Sequence, residues 1–163
     1  MDVDYLEPSF ASVDEMASAS DLVVTGEVTS IRSLGRRDTA EDQNASEYVA
    51  VVVGIDEIIK GDGDSEVILA WEAYVTDGDG TRAYEMVANG VRVPRQGDRM
   101  LLFLTPQEPA LIDRFDGVPT HRLIRLEGAA YLEDDTIVAG SHDPLTEQLL
   151  DMTIDDIRAV VSS

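Results

Sequence analysis

The stretch ASDLVVTGEVTSI, residues 19–31, is an apolar, β-rich run with a glycine, Gly26, at its middle. On the two-residue period of a strand, Leu22, Val24, Gly26 and Val28 share one face, and Val23, Thr25, Thr29 and Ile31 share the other. A glycine weakens a strand, so its presence marks a bulge, a tight bend or the close approach of another backbone. A second run, YVAVVVGIDEIIKG (48–61), repeats the arrangement, with Val49, Val51, Val53 and Ile55 alternating about Gly54. Two long strands with interior glycines predict the bent corners of a small barrel. A small residue beneath a packed helix is the alternative reading of each glycine.

Outward from these strands, Ser12 and Glu15 have the spacing of a capping box, and Val13, Met16 and Ala17 share a helical face with Phe10, which predicts a short helix before the first strand. Residues 34–47 (LGRRDTAEDQNASE) are polar and aperiodic and read as a long loop. EVILAWEAYV (66–75) alternates as a third strand with Val67, Leu69, Trp71, Ala73 and Val75 inward. A weaker extended segment follows at 83–93, then a turn at Gly97-Asp98 and the compact strand MLLFL (100–104). HRLIRLEGAAYL (121–132) and TIVAG (136–140) form a hairpin around Glu133, Asp134 and Asp135. Asp143 before Pro144 caps a helix striped by Leu145, Leu149 and Leu150, and Thr153 with Asp156 opens another that faces Ile154, Ile157 and Val161 one way. The sum is a mainly β, small antiparallel barrel over about residues 20–139, with a short N-terminal helix and one or two C-terminal helices over about 143–161, in a single domain spanning 1–163. A chain of this length buries roughly 70% of its unfolded surface.

The net charge is -21, from 33 acidic and 12 basic residues, and Lys60 is the one lysine. Such self-repulsion suits high ionic strength, as in a halophilic protein; an acidic mesophilic protein or an arginine-favouring genome are the alternatives. Nucleic acid is disfavoured as a partner because affinity for phosphates rests on cations, and an anionic membrane surface repels the chain likewise. Aromatic content of 6% makes a base-stacking platform less suitable still. No apolar run is long enough to insert in a membrane, and MDVDYLEPSF lacks the basic and apolar regions of an export signal. Cysteine is absent, so any metal would need oxygen or histidine ligands.

ASDLVVTGEVTSI, VVVGIDEIIKGD and GDRMLLFL together resemble the netrin-like module of the tissue inhibitors of metalloproteinases, over residues 19–104. The resemblance implies an OB-type barrel with flanking helices and an exported or cell-envelope binding module. Members that inhibit proteases reach the zinc with an N-terminal cysteine held by disulfides, whereas this chain opens MDVDYLEP and has no cysteine. Protease inhibition therefore rests on the resemblance alone.

Two aspartate-rich turns are the candidate cation sites: Asp62, Asp64 and Glu66 in GDGDSE, and Asp77 and Asp79 in TDGDGT. Alternating carboxylates suit calcium, but neither turn has the glycine and bidentate glutamate of an EF-hand loop, and an exposed acidic hairpin turn is the plainer reading. Ser141, His142 and Asp143 are adjacent and so do not converge as a triad. His121 opens a strand without zinc-type spacing. Asn44-Ala45-Ser46 is a glycosylation sequon. OB-type barrels bind through a sheet face and the loops between strands, which points to residues 34–46 and 76–82, with Trp71 and Tyr74 as contact residues or, for Trp71, as core. The function expected is a non-enzymatic binding module acting through protein contacts, with no catalytic residue nominated. A structural domain stabilised by calcium or high salt, and a protease inhibitor, are the alternatives.

Overall fold

The computed structural model describes residues 2–3, 10–37, 45–76, 82–88, 91–125, 128–141 and 144–162. The strands are β1 (Asp2–Val3), β2 (Leu22–Arg37), β3 (Ala45–Lys60), β4 (Glu66–Thr76), β5 (Arg82–Glu85), β6 (Val87–Ala88), β7 (Arg99–Pro106), β8 (His121–Leu123), β9 (Ala129–Glu133) and β10 (Thr136–Ala139). The helices are α1 (Val13–Ala19), α2 (Pro109–Arg114), α3 (Pro144–Leu150) and α4 (Ile154–Ser162). The main sheet runs β10-β9-β7-β2-β3-β4-β5, and β8 pairs with both β4 and β7. β8 lies parallel to β4, with Leu69 opposite His121, and antiparallel to β7. It thereby closes β2, β3, β4, β8 and β7 into a five-stranded barrel of OB type.

Bulges make the closure possible. The β2–β3 pair shifts register at Thr25/Gly26 and again at Val28/Ser30. A Cβ on Gly26 would run into the Gly54 carbonyl oxygen and sit 2.7 Å from Val53 Cγ1, so the glycine is there because a neighbouring backbone passes through the space of its side chain. The Lys60-Gly61 pair is fitted to the chain before β2 in the same way. Gly61 has φ of 88° and leaves no room for a Cβ beside the Asp21 carbonyl oxygen, while Lys60 Nζ donates to the carbonyls of Ala17 (2.8 Å) and Ser18 (3.1 Å) at the end of α1. Sequence features forty residues apart are therefore one contact.

Two cores follow from the alternation of apolar strands. Val24, Val28, Val51, Val53, Leu69, Trp71, Met100, Leu102 and Leu104 fill the barrel. Val23, Leu101, Phe103, Ala130 and Leu132 point outward beneath Met16 of α1, Leu145 and Leu149 of α3, and Ile154 and Ile157 of α4. MLLFL is apolar on both faces because β7 serves both cores. The helix starts are chemically specified: Glu15 N donates to Ser12 Oγ (3.1 Å), and Thr153 and Asp156 bond reciprocally at 2.9 and 3.2 Å.

Several readings are corrected. The polar stretch 34–47 is not wholly a loop: strand pairing continues through Arg36 opposite Glu47 and Arg37 opposite Ser46, because the ladder is completed by backbone groups that polar side chains do not obstruct. Ile31 packs on the barrel core with Val28, since the extra residue at the Val28/Ser30 shift reverses the alternation. A further shift opposite Glu47/Tyr48 brings Tyr74 rather than Val75 to that core. Residues 121–132 divide into β8 and β9, and α2 interrupts what reads as a connection. Leu150 is exposed while Leu145 and Leu149 are buried. The cap assigned to Asp143 lies outside the described residues.

Gly26→Ala lowers the unfolding free energy by about 1–3 kcal/mol through overpacking against the β3 backbone. Gly63→Ala, whose Cβ meets only Leu22 methyls at 3.6 Å and an Ile58 methyl at 3.9 Å, is near neutral. Urea unfolding of the two variants measures the contrast.

Candidate binding face

The helical layer covers the β2–β7–β9 side of the barrel, and the outer face of β3, β4 and β5 stands on the other side. Which side chains reach that face is set by two register shifts. Tyr48 pairs with Glu72 and Glu47 with Tyr74, so Ala73 is the extra residue; Val75 pairs with Tyr84 and Thr76 with Arg82, so Ala83 is another. Val49, Val51 and Val53 point into the barrel, which sends Tyr48 outward with Glu72. Ser46 Oγ (2.5 Å) and the Tyr48 hydroxyl (3.3 Å) both donate to the Glu72 carboxylate. On the outer side beyond them lie half-buried Val75 and Tyr84, and Tyr84 is 60% exposed. An exposed aromatic at the middle of an edge strand is the surface feature that protein contacts draw on most.

The inner side of the same strands fixes their position. Arg82 Nε donates to Glu47 Oε2 at 2.8 Å, and its guanidinium carbon lies 4.1 Å from the centre of the Tyr74 ring. β5 is thus tied across β4 to β3. On the flank, Phe115, which follows α2, packs on Tyr48 with ring centres 5.2 Å apart. Tyr48 and Phe115 thus form one ring contact on the outer face, while Tyr74 packs on the barrel core and Tyr84 stands exposed on β5.

A second arginine cluster holds the segment before β7. Arg92 bonds both Asp98 oxygens, at 2.7 and 3.0 Å, and its guanidinium carbon lies 4.1 Å from the Tyr131 ring centre, while the Tyr131 hydroxyl donates to the Arg92 carbonyl at 2.7 Å. Burial opposes ionisation of Asp98, but hydrogen bonds from the Arg92 guanidinium and the Arg95 amide, with the charges of both arginines, hold its carboxyl below the ordinary value. Burial pushes the Tyr131 hydroxyl well above its ordinary value. This cluster is saturated by its own bonds and serves as a brace.

The aspartate turns have a different setting. Asp62, Asp64 and Glu66 line an open cleft of about 430 Å³ together with Gly63, Thr120 and His121. Their side chains are exposed, and among the described residues no three carboxylate or histidine side chains are gathered as metal ligands would be. Asp77 and Asp79 lie outside the described residues, as do Asn44 of the sequon and His142. Trp71 is buried in the barrel core at 7% exposure, so of the two aromatic contact candidates Tyr74 alone reaches the edge of the surface.

His121 accepts or donates through Nδ1 to Thr120 Oγ1 at 3.0 Å. Burial lowers its pKa from the ordinary 6.5, an effect that the charges of Asp21 and Asp64 oppose without cancelling. A histidine whose folded pKa is depressed favours the fold in its neutral form. That contribution is complete above pH 6.5 and is lost as pH falls through the folded pKa. A proton NMR titration of the folded chain places the His121 midpoint below 6.5, and Asp64→Asn moves it further down.

Sequence reasoning missed Tyr48, Tyr84 and Phe115. Tyr84 sits in a short strand with weak alternation, and the bulge at Ala83 hides its face; Phe115 is placed by tertiary contact alone. The one local signal was Pro109 after Glu108, which suits a helix start. No protein-family model matches the chain, and no curated protein matches it.

Proposed function

We propose that the chain is a non-enzymatic binding module that acts through protein contacts on the outer face of β3, β4 and β5. Tyr84 carries this reading: it is 60% exposed on an edge strand that Arg82 and Glu47 hold in place. A rigid aromatic presented on a fixed strand gives contact area at little entropic cost, and tyrosine is enriched where truncation weakens binding most. The charge of -21 selects against polyanions and accelerates encounter with a basic protein surface. The netrin-like resemblance supports an exported or cell-envelope setting for such a module. The barrel agrees with the fold that the resemblance implies, and a fold shared by many families supports neither membership nor protease inhibition.

The test is a selection of displayed random peptides on the immobilised chain, followed by calorimetric titration of the selected peptides. Tyr84→Ala weakens their binding about tenfold or more and leaves the unfolding midpoint in place, as befits an exposed residue. Peptides that bind the variant as well as the parent would remove this face from consideration.

A cation-stabilised structural domain is the second reading, favoured by the presence of Asp62, Asp64 and Glu66 along one open cleft, where they are not gathered as ligands of a single ion. A ligand that binds only the folded chain raises stability by RT ln(1 + [L]/Kd). On this reading calcium raises the unfolding midpoint beyond a sodium chloride control of equal ionic strength, and the gain disappears in Asp62→Asn/Asp64→Asn. A rise with molar potassium chloride alone assigns the acids to a solvated shell.

A further inference from the structure

We infer that residues 107–120 form a displaceable strap that occupies the Tyr48 end of the binding face through Phe115 and competes there with the partner; this rests on the reading of that face as the contact surface. The stem of the strap is closed. Gln107 N donates to the Thr120 carbonyl (3.2 Å), Thr120 N to Ile68 O (2.9 Å), and Ile68 N to Thr120 Oγ1 (3.0 Å). Between these points the segment is held by hydrogen bonds within itself and by Phe115. α2 has six residues, none buried, and Glu108 at its start makes no side-chain cap. The return is made by two successive left-handed residues, Asp116 at φ 57° and Gly117 at φ 79°, the first of which an aspartate adopts only at a cost.

Phe115 is the buried anchor between the two halves of this return, 8% exposed against the Tyr48 ring. Ala50, which alternates outward with Tyr48 on β3, is fully buried. The root of the strap is incompletely bonded. Arg122 Nε on β8 is buried without a hydrogen-bond partner among the described residues, and Glu108 Oε1 stands 4.0 Å from it. A partner's apolar side chain on Tyr48 would replace Phe115 like for like, and its apparent affinity is its intrinsic affinity scaled by the fraction of chains in which the strap is open.

Native-state hydrogen exchange and dye binding test this together. The amides of Leu111, Ile112, Phe115 and Gly117, all hydrogen-bonded within the strap, exchange about a hundredfold or more faster than those of Val51 and Leu101, with little dependence on urea, as local opening requires. Phe115→Ala binds the neutral aromatic dye Nile red about tenfold tighter than the parent, and adding Tyr48→Ala abolishes the gain. Exchange of the strap amides only together with the barrel amides overturns the proposal, and so does the absence of any gain in dye binding. Both readouts are independent of Tyr84, so a face that binds peptide under a strap that never opens is distinguished from an opening strap on a face that binds none.

Discussion

One backbone passing where a side chain would otherwise stand, that of β3 at Gly54 against Gly26 of β2, sets the curvature on which this molecule depends. Because Gly26 admits the Gly54 carbonyl into the space of its own Cβ, the long β2–β3 ribbon bends instead of lying flat. The bend brings β7 along one side of β2 and carries β4 round to meet β8. Once the ring is closed, β7 has an inside and an outside that are both apolar, and the outside becomes the floor for α1, α3 and α4. The outer face of β3, β4 and β5 lies away from α1, α3 and α4, which follow the apolar outer surface of β2, β7 and β9, and Phe115 covers it at Tyr48.

Charge works on a second level. The arginines that bridge distant segments do so with carboxylates: Arg82 with Glu47, Arg92 with Asp98, Arg99 with Asp56, and Arg158 with Glu57 and Asp155. The Arg158 hydrogen bond keeps the Glu57 carboxyl below its ordinary value, against a smaller opposing effect of burial. Exposed pairs of this kind add little stability each. The two-point pairs, Arg92 with Asp98 and Arg158 with Glu57, instead orient the elements they join. In a chain with 33 acids and 12 bases the cations are scarce, and several of them mark where β5, α4 and the segment before β7 are held.

Much of the fold was legible because its signals were local. The alternation in 48–55 and 66–73, the capping boxes at Ser12 and Thr153, and the glycines at 26 and 54 each report on a few residues and their immediate backbone. What escaped the sequence depended on register. A single extra residue at Thr29, Ala73 or Ala83 reverses the facing of everything beyond it, so Ile31, Val75 and Tyr84 each take a side that strict alternation does not assign. The polar ends of β2 and β3 were hidden for a related reason, since strand pairing there is carried by the backbone. The candidate face was the least legible part: Tyr48, Tyr84 and Phe115 come from three separate segments, and nothing in their spacing shows that Phe115 packs on Tyr48 or that Tyr84 stands exposed.

The central claim is that β8 closes the barrel between β4 and β7, because the facing of β4 and the stem of the strap both depend on it. Nuclear Overhauser contacts between residues 68–70 and 120–122, measured on the isotopically labelled chain, test it most directly. The account predicts cross-strand contacts between Leu69 and His121 and slowly exchanging amides at Ile68 and Thr120. Free exchange of those amides with no contact between the two segments would contradict it.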